Sequence, residues 1–241
     1  GLYNDYETQA QVTKAIRKEI AGVITGDADG VVLAAQFYPS NYFFSRKQLR
    51  TAADMQGLRT RILNRLSKDL LAGMGASPKD VPFGSVHNAF QSDQLDAAIS
   101  CSSCGSDLRW NDLADYVVGP IPVLGHSWLT ISRETWLELP EDIQLIIQEE
   151  AKKHEMATRE ASLNRWDRMG VKDNVSAGME YIELTPELKD LMRTAGLTTV
   201  LPDWVRQSGE YDSDAVRLFN QLVAPIVKVE ITKEGQAKEI R

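Results

Sequence analysis

One periodic run of apolar residues, which starts at the motif LPED (139–142), constrains the fold more than any other part of the chain. Proline in the first turn and acidic side chains near the positive end of the helix dipole favour a helix start here. Apolar and small residues then recur at helical spacing up to about Gly170, on a face made of Ile143, Ile146, Ile147, Ala151, His154, Ala157 and Ala161. A helix of this length exceeds the usual globular helix. It is therefore expected to run the length of the molecule, as a spine between two lobes.

Short strands and helices alternate in the half of the chain that precedes this helix. A continuous apolar run at 31–35 predicts a buried strand, and further strands are predicted at 80–83 and 95–99. Helices are predicted after Asn64 and after Ser85. This alternation is typical of parallel βαβ units, so the chain is expected to have an α/β fold.

A basic strand follows a short turn near the middle of this region. Thr51 and Asp54 have the spacing of a capping box, and Gly57 can end the turn in a left-handed conformation. Strand alternation then places Arg59 and Arg61 on the same side. An arginine at a strand end is suited to a carboxylate, because its planar fork can make two parallel hydrogen bonds. The local sequence alone favours another interpretation, in which both arginines are solvated surface residues.

The charge balance limits the partners of this chain. With a net charge of -7 and an isoelectric point near 5.1, it lacks the basic character that nucleic acid or an anionic membrane surface requires. The sequence contains no apolar run long enough to span a bilayer, and no signal segment is visible. The polar residues 232–241 are expected to be frayed.

The cysteines and histidines do not indicate a metal site. Cys101 and Cys104 are the only cysteines, and the three histidines are scattered without the spacing of metal ligands. A redox centre of the thioredoxin type has the same cysteine spacing, but no aromatic residue precedes Cys101. A structural disulfide or two free thiols are the alternatives that we expect. Neither a metal ion nor an organic cofactor is predicted.

Four segments together resemble the substrate-binding proteins of tripartite ATP-independent periplasmic (TRAP) transporters. They are DMQGLRTR (54–61), GASPKDVPF (75–83), AFQSDQLD (89–96) and LPED (139–142), and their order and spacing match that family over most of the chain. The resemblance implies a two-lobed α/β fold of the periplasmic-binding-protein type II kind, with a long connecting helix. It also implies that the protein captures an organic acid in the cleft between the lobes. Delivery to a TRAP-type membrane permease, in the periplasm or outside the cell, is then expected.

The resemblance further implies where the two lobes begin and end. Lobe I would comprise residues 1–38 and 126–165, including the spine helix, and lobe II would comprise residues 39–125 and 166–241. The strands and helices that open lobe I in the family have no counterpart in this chain. The first lobe is therefore expected to be incomplete.

Matching positions in the family's motifs give a set of expected substrate-binding residues. Arg61 matches the arginine that pairs with the substrate carboxylate, and Phe83 matches the apolar residue that packs on the ligand's carbon skeleton. Ser100 matches a polar position that is often asparagine. Phe83 and Ser100 also lie at the carboxyl ends of predicted strands, where ligands of α/β sheets bind. Asn41 replaces a second arginine that is common in the family, which favours a monocarboxylate or an unusual ligand over a typical dicarboxylate.

His126 and Trp128 precede the spine helix, where the chain is expected to cross back between the lobes. They either face the cleft or belong to ordinary packing, and their position alone does not separate these interpretations. An enzyme on the same bilobed fold and a ligand-sensing or scavenging domain are the alternative functions. The sequence contains no nucleophile elbow, phosphate loop or metal-binding pair on a helix, so an enzyme is not expected.

Overall fold

The structure is a computed structural model that describes residues 2–3 and 5–240, except for the side chains of residues 163 and 164. Its strands are β1 (Gly30–Phe37), β2 (Asn41–Ser45), β3 (Arg59–Arg61), β4 (Ser77–Lys79), β5 (Ala97–Cys101), β6 (Tyr116–Ile121), β7 (His126–Ser132), β8 (Glu180–Glu183), β9 (Val229–Ile231) and β10 (Ala237–Glu239). Its α-helices are α1 (Tyr6–Asp27), α2 (Ala52–Met55), α3 (Arg65–Gly73), α4 (Val86–Gln91), α5 (Ser102–Asp107), α6 (Arg133–Glu138), α7 (Glu141–Ala161), α8 (Asp167–Ser176), α9 (Pro186–Ala195), α10 (Leu201–Gln207), α11 (Asp214–Leu218) and α12 (Ala224–Val227). Short π-helical segments at Ser162–Trp166, Gly196–Val200 and Phe219–Val223 join consecutive helices.

Six strands form the central sheet, in the order β4-β3-β5-β2-β6-β8. β3 is parallel to β4 and β5, and β6 is parallel to β8, whereas β2 is antiparallel to both of its neighbours. The prediction of parallel units is therefore wrong for β2. The reason is its point of entry, because Asn41 lies opposite Cys101 at the end of β5 and Ile121 at the end of β6. The chain thus enters β2 at the edge where the flanking strands end.

The edge strand β4 lies at Ser77–Lys79 and not at the predicted 80–83. It pairs in parallel with β3. Pro78 is tolerated in this strand, because an edge strand needs backbone hydrogen bonds on one side only. Pro82 then precedes a 3-10 turn at Phe83–Ser85, so this aromatic side chain lies in a turn and not at the end of a strand.

A second sheet consists of β1 and β7, which pair antiparallel, so the parallel arrangement expected for the strand at 31–35 is also wrong. The helix α7 packs against β1. The predicted spine helix is confirmed, since α7 continues through a π-helical segment into α8 and ends beyond Gly170, at Ser176. The predicted inner face is wrong in part. Ala151 is buried, but Ile143 and Ile146 are exposed, because the two described strands of this sheet cover only part of the helix.

Two hydrophobic cores lie on opposite faces of the six-stranded sheet. Strand alternation sends Phe43 into one core and Tyr42 and Phe44 into the other. The first core is closed by α3 and α9, and the second contains Phe90 of α4 together with Trp110. Because a hydrophobic core packs on each face of this sheet, the ends of β3 and β5 are held in fixed positions.

A third core joins the two ends of the described chain. Val12 of α1 packs there with Val205 and Val216 of the C-terminal helices. The strand β10 pairs with β9 in this region, so the predicted fraying of residues 232–241 is wrong for the described residues, because their backbone finds a strand partner. Residue 241 lies outside the described part. The β1–β7 sheet and the six-stranded sheet fall on different sides of the predicted lobe boundaries, which stay a prediction.

Candidate functional site

Arg61 ends β3 at the sheet edge where β2 enters, and its side chain is buried. Nε donates to the Val81 carbonyl at 3.2 Å, and Nη1 donates to the Ile99 carbonyl at 3.1 Å. Burial lowers the pKa of the guanidinium, and the charge of Asp80 opposes that shift. Among the residues that the structure describes, no carboxylate lies within ion-pair distance of this side chain. A buried cation without a counter-ion is costly, so the site is suited to a ligand that supplies one.

The two carbonyls that hold Arg61 were not predicted from the sequence. Val81 and Ile99 fix the plane of the guanidinium through backbone atoms. Every residue has such an atom, so residue identity at these positions carries no signal. Only the strand pairing, with Arg61 opposite Ala98 of β5, could indicate that the Ile99 carbonyl is within reach.

Arg59, two residues earlier on the same strand, is occupied by acidic side chains. Its Nε and Nη2 donate to the two carboxylate oxygens of Asp96, each at 2.9 Å, and Nη2 also lies 3.1 Å from an oxygen of Asp93. The hydrogen bonds from Arg59 lower the pKa of Asp96 to about 2. This bidentate pair ties β3 to the residue that precedes β5. Arg59 therefore serves the fold, and its fork is not free for a ligand.

Phe83 lies beside the guanidinium of Arg61. The Arg61 Cζ atom is 5.6 Å from the centre of the Phe83 ring, which is 45% exposed. The ring also leans on Trp110, with centroids 5.9 Å apart. Trp110 is buried and packs edge-on against Phe44, so it supports Phe83 from the core. An exposed apolar ring next to a buried cation offers separate surfaces for the carbon skeleton and the carboxylate of one small acid.

Ser100 lies on the same face of the sheet as Arg61. It follows Ala98 by two residues on β5, and Ala98 is the cross-strand partner of Arg61. The Ser100 side chain is buried, and it makes no hydrogen bond to other residues in the described ranges 2–3 and 5–240. The structure thus brings Arg61, Phe83 and Ser100 together at one sheet edge.

Asn41 reaches the same edge on the opposite face. It pairs with Cys101 across the sheet and shares its face with Phe43. Its amide donates to the Val123 carbonyl at 2.6 Å, which ties the start of β2 to the segment before β7. A neutral amide that is already bonded to the backbone cannot supply the second positive charge that an arginine would bring.

His126 and Trp128 lie on the other sheet, at the start of β7. Their rings meet edge to face with centroids 5.4 Å apart, and His126 also lies 6.2 Å from the ring of Phe37. The guanidinium of Arg17 covers Trp128 at 5.4 Å. Burial lowers the pKa of His126, with the charge of Glu155 opposing the shift. These contacts form an aromatic patch on the β1–β7 sheet, and within the described chain none of them joins the patch to Arg61.

Cys101 and Cys104 form a disulfide, which is one of the two predicted alternatives. Cys101 ends β5 directly after Ser100, and Cys104 lies in α5. The bond therefore closes the turn that leads away from the site.

The described residues contain no group of His, Cys, Asp or Glu side chains placed to hold a metal ion. A search of the same residues finds no helix with the length and apolarity needed to cross a membrane. An apolar cavity of about 290 Å³ is lined by residues that include Leu66, Leu70, Trp204 and Phe219, and it does not reach Arg61. The lining of this cavity contains no charged side chain, whereas Arg61 offers a cation that a carboxylate could meet.

Comparisons with known proteins agree with one another. The sequence profile of the bacterial extracellular solute-binding proteins, family 7, matches residues 34–202. An uncharacterised protein of Haemophilus influenzae is 24% identical over 221 residues, which are 90% of this chain, and this chain spans 66% of that relative's length.

Two solved structures are similar to this chain over most of its length. One is an extracytoplasmic solute receptor of Bordetella pertussis that binds pyroglutamic acid, with a TM-score of 0.80 and 20% identity, covering 93% of this chain and 71% of the receptor. The other is a TRAP periplasmic solute-binding protein of Haemophilus influenzae with bound L-gulonate, with a TM-score of 0.75 and 22% identity, covering 92% of this chain and 72% of that protein. These matches confirm the predicted α/β fold of the two-lobed type.

Proposed function

The chain belongs to the bacterial extracellular solute-binding proteins of family 7, and we propose that it captures a small organic acid through the guanidinium of Arg61. Membership confirms the resemblance to TRAP solute-binding proteins, and it assigns the chain to a family of transport proteins and not of enzymes. The proposal adds the chemical group that binds the ligand and the kind of acid that is bound.

The observation that carries the proposal is the unpaired charge of Arg61. Its guanidinium is held in place by two carbonyls and enclosed by the protein, yet it has no carboxylate partner among the described residues. Arg59 provides the comparison within the same strand, because it has two carboxylate partners. A folded protein tolerates such a buried charge when a ligand completes the pair.

A monocarboxylate is the ligand class that this arrangement favours. Arg61 can bind one carboxylate, Phe83 can cover the adjoining carbon atoms, and Ser100 can hydrogen-bond a polar group of the ligand. Asn41 stands in place of a second cation and already donates to the Val123 carbonyl. Pyroglutamate and L-gulonate, which the two similar structures bind, each carry one carboxylate. A dicarboxylate would leave its second charge without a partner.

We further propose that binding closes the two lobes and that the closed protein delivers the acid to a TRAP-type permease. A ligand drives such closure only by binding the closed state better than the open one. The aromatic patch of His126 and Trp128 lies on the β1–β7 sheet, and in this proposal it meets the ligand only in the closed state. Action in the periplasm or outside the cell belongs to the same proposal.

A ligand screen tests the proposal directly. Pyroglutamate, L-gulonate and succinate are added to the protein, and thermal unfolding is followed. A monocarboxylate at about 100 times its Kd should stabilise the protein by ~2.7 kcal/mol, which raises Tm by about 5–10 °C. Succinate should have a smaller effect at the same concentration.

The role of Arg61 is then tested by calorimetry on variants. Arg61→Ala should weaken binding about a hundredfold or more, because the ligand carboxylate is left without its partner. Arg61→Lys keeps the charge but loses the fork, and an intermediate loss of about tenfold is expected. Arg217→Ala is the matched control, since that arginine is exposed on α11 and its guanidinium contacts Asp214 and Gln221, which are also exposed. Normal affinity in Arg61→Ala would contradict the proposal.

A further inference from the structure

One face of α8 covers the turn that follows β5, two residues beyond Ser100. Asp167, Gly170 and Asn174 lie on this face, because residues three and four apart are neighbours on a helix. Each of the three contacts Ser102, the first residue of α5. Sequence patterns indicated Gly170 only as the expected end of the long helix, and they did not single out Asp167 or Asn174.

The backbone of Ser102 is held by Asn174 and Gly170. The Asn174 amide donates to the Ser102 carbonyl at 2.8 Å and to the Gly170 carbonyl at 2.7 Å, and its side chain is fully buried. Gly170 allows the closest approach of the two helices. A Cβ atom there would lie 2.4 Å from the Ser103 amide nitrogen and 2.6 Å from the Ser102 carbonyl carbon, so any larger residue must displace α5.

The side chain of Ser102 is held by the first turn of α8. Its hydroxyl donates to Asp167 Oδ1 at 3.3 Å and lies 3.4 Å from the Trp166 carbonyl. The same carboxylate accepts from the Ser40 amide at 2.8 Å and from the Tyr6 hydroxyl at 3.0 Å. Asp167 therefore joins the end of β5 to the segment between β1 and β2.

The helix that carries this face is continuous with the helix that packs on the β1–β7 sheet. α8 continues α7 through the π-helical segment at Ser162–Trp166, and α7 packs against β1. Movement of α7 relative to the six-stranded sheet must therefore act on Ser102. The disulfide between Cys101 and Cys104 closes the same turn, which begins directly after Ser100.

We propose that Asp167, Gly170 and Asn174 are positioning residues for the ligand site, which act through Ser102 to hold Ser100 in register with Arg61. The inference rests on the proposed function, because it assumes that Ser100 meets the ligand.

The first test changes the close contact at Gly170. Gly170→Ala should displace the start of α5 and weaken pyroglutamate binding about tenfold in calorimetry. Hydrogen exchange of the amides at 97–104 should also become faster. Gly22→Ala is the matched control, because Gly22 is also helical and a Cβ there would meet no atom within 4 Å apart from its own helix backbone. Affinity and exchange equal to the unmodified protein would overturn the inference.

A second set of variants keeps the test valid if Gly170→Ala fails to fold. Ser102→Ala removes the hydroxyl that reaches Asp167, whereas Ser106→Ala removes a hydroxyl that bonds only the Ser103 carbonyl on the same helix. Ser102→Ala should weaken pyroglutamate binding and speed exchange at 97–104, and Ser106→Ala should do neither. Asp167→Ala should reproduce the loss, and Asp167→Asn should restore affinity because its amide oxygen can still accept from Ser40 and Ser102.

The two proposals can fail separately. If the unmodified protein binds no organic acid, the proposed function is wrong, and faster exchange at 97–104 in Ser102→Ala still supports the connection to α8. If pyroglutamate binds and the Ser102 and Asp167 variants bind it equally well, the positioning role is wrong. A lower Tm with unchanged affinity would mean that this face of α8 stabilises the fold only.

Discussion

Arg59 and Arg61 carry the same charge on one short strand, and their surroundings differ. Arg59 lies in a bidentate pair with Asp96, so its charge is compensated within the protein. Arg61 is enclosed without a carboxylate partner in the described structure. The paired arginine stabilises the fold, and the unpaired one retains the capacity to bind an anion.

The Asp96 carboxylate should make the protein sensitive to acid. Its pKa of about 2 lies below the value of about 4 expected in the unfolded chain, so the ionised form favours the folded state. This stability is present above about pH 4 and is lost as the pH falls through the folded pKa. Asp96→Asn should lower the free energy of unfolding at pH 7 by on the order of 2 kcal/mol. Urea unfolding between pH 7 and pH 3 measures the effect, and the difference from the unmodified protein should shrink below pH 4.

Asp93→Asn is the control for this prediction. The Asp93 side chain is 75% exposed, although it contacts the same arginine. Asp93→Asn should change the free energy of unfolding little, because exposed ion pairs contribute little to stability. Equal losses in the two variants would show that the bidentate geometry at Asp96 has no special role.

Local sequence could not separate the two arginines. Strand alternation placed both on one side, and exposure was the favoured interpretation for each. The partner that occupies Arg59 lies 37 residues away in the chain, so a local pattern does not contain it. The resemblance to a known family distinguished Arg61 through its position in a motif, and the structure supplies the physical difference.

Among the elements, the short helix α2 begins with the capping interaction that its sequence predicts. Asp54 Oδ2 accepts from the backbone amides of Arg50 and Thr51, at 2.9 and 2.8 Å, and from the Thr51 hydroxyl at 2.9 Å. The two backbone hydrogen bonds lower the pKa of Asp54. The predicted pairing of Thr51 with Asp54 is therefore confirmed, and it fixes the turn from which β3 starts.

Removal of this cap should cost stability without changing the ligand site itself. Asp54→Ala leaves the amides of Arg50 and Thr51 without their acceptor, and a loss of about 1 kcal/mol is expected. Tm should fall by about 2–4 °C in thermal unfolding. Asp190→Ala, at an exposed position on α9, is the control and should leave Tm nearly unchanged. A Tm of Asp54→Ala equal to that of the control would contradict the prediction.

Elements that depend on distant pairing were less predictable. The strand at Ser77–Lys79 contains a proline, which argues against a strand until its edge position is known. The polar segment at Ala237–Glu239 becomes a strand only because β9 offers it a partner. The long helix was predictable because its caps and periodicity are local, but the exposure of Ile143 depends on how much of the helix the neighbouring sheet covers.

At the scale of the whole molecule, the start of α1 connects segments that the sequence places far apart. The Tyr6 hydroxyl lies 3.4 Å from the Tyr38 carbonyl, 3.1 Å from Ser40 Oγ and 3.0 Å from Asp167 Oδ2. Gln9, one turn later, donates to the Gly125 carbonyl at 3.1 Å. These contacts bring together three segments that pass between the two sheets. The proposed lobe closure would therefore change the surroundings of one tyrosine hydroxyl.

Burial has the largest effect on the pKa of Asp167, which accepts from the Tyr6 hydroxyl. Burial raises the pKa of Asp167, although its hydrogen bonds with Ser40 and Tyr6 oppose the shift. Because the pKa of Asp167 is raised in the folded state, ionisation of this carboxyl destabilises the folded state once the pH rises above the pKa of the unfolded chain. The Tyr6 hydroxyl, as one of its donors, reduces that cost.

Tyr6→Phe should weaken the connection between the two sheets. The phenylalanine keeps the ring in its buried position but leaves Asp167 with one donor fewer, so stability should fall by about 1–2 kcal/mol. Hydrogen exchange should become faster at 38–41 and at 166–168 together, because one hydroxyl contacts both segments. Tyr116→Phe is the matched control, since the Tyr116 hydroxyl makes no hydrogen bond within the described chain. Faster exchange in only one of the two segments would show that they move independently, and the hydroxyl would then not join them.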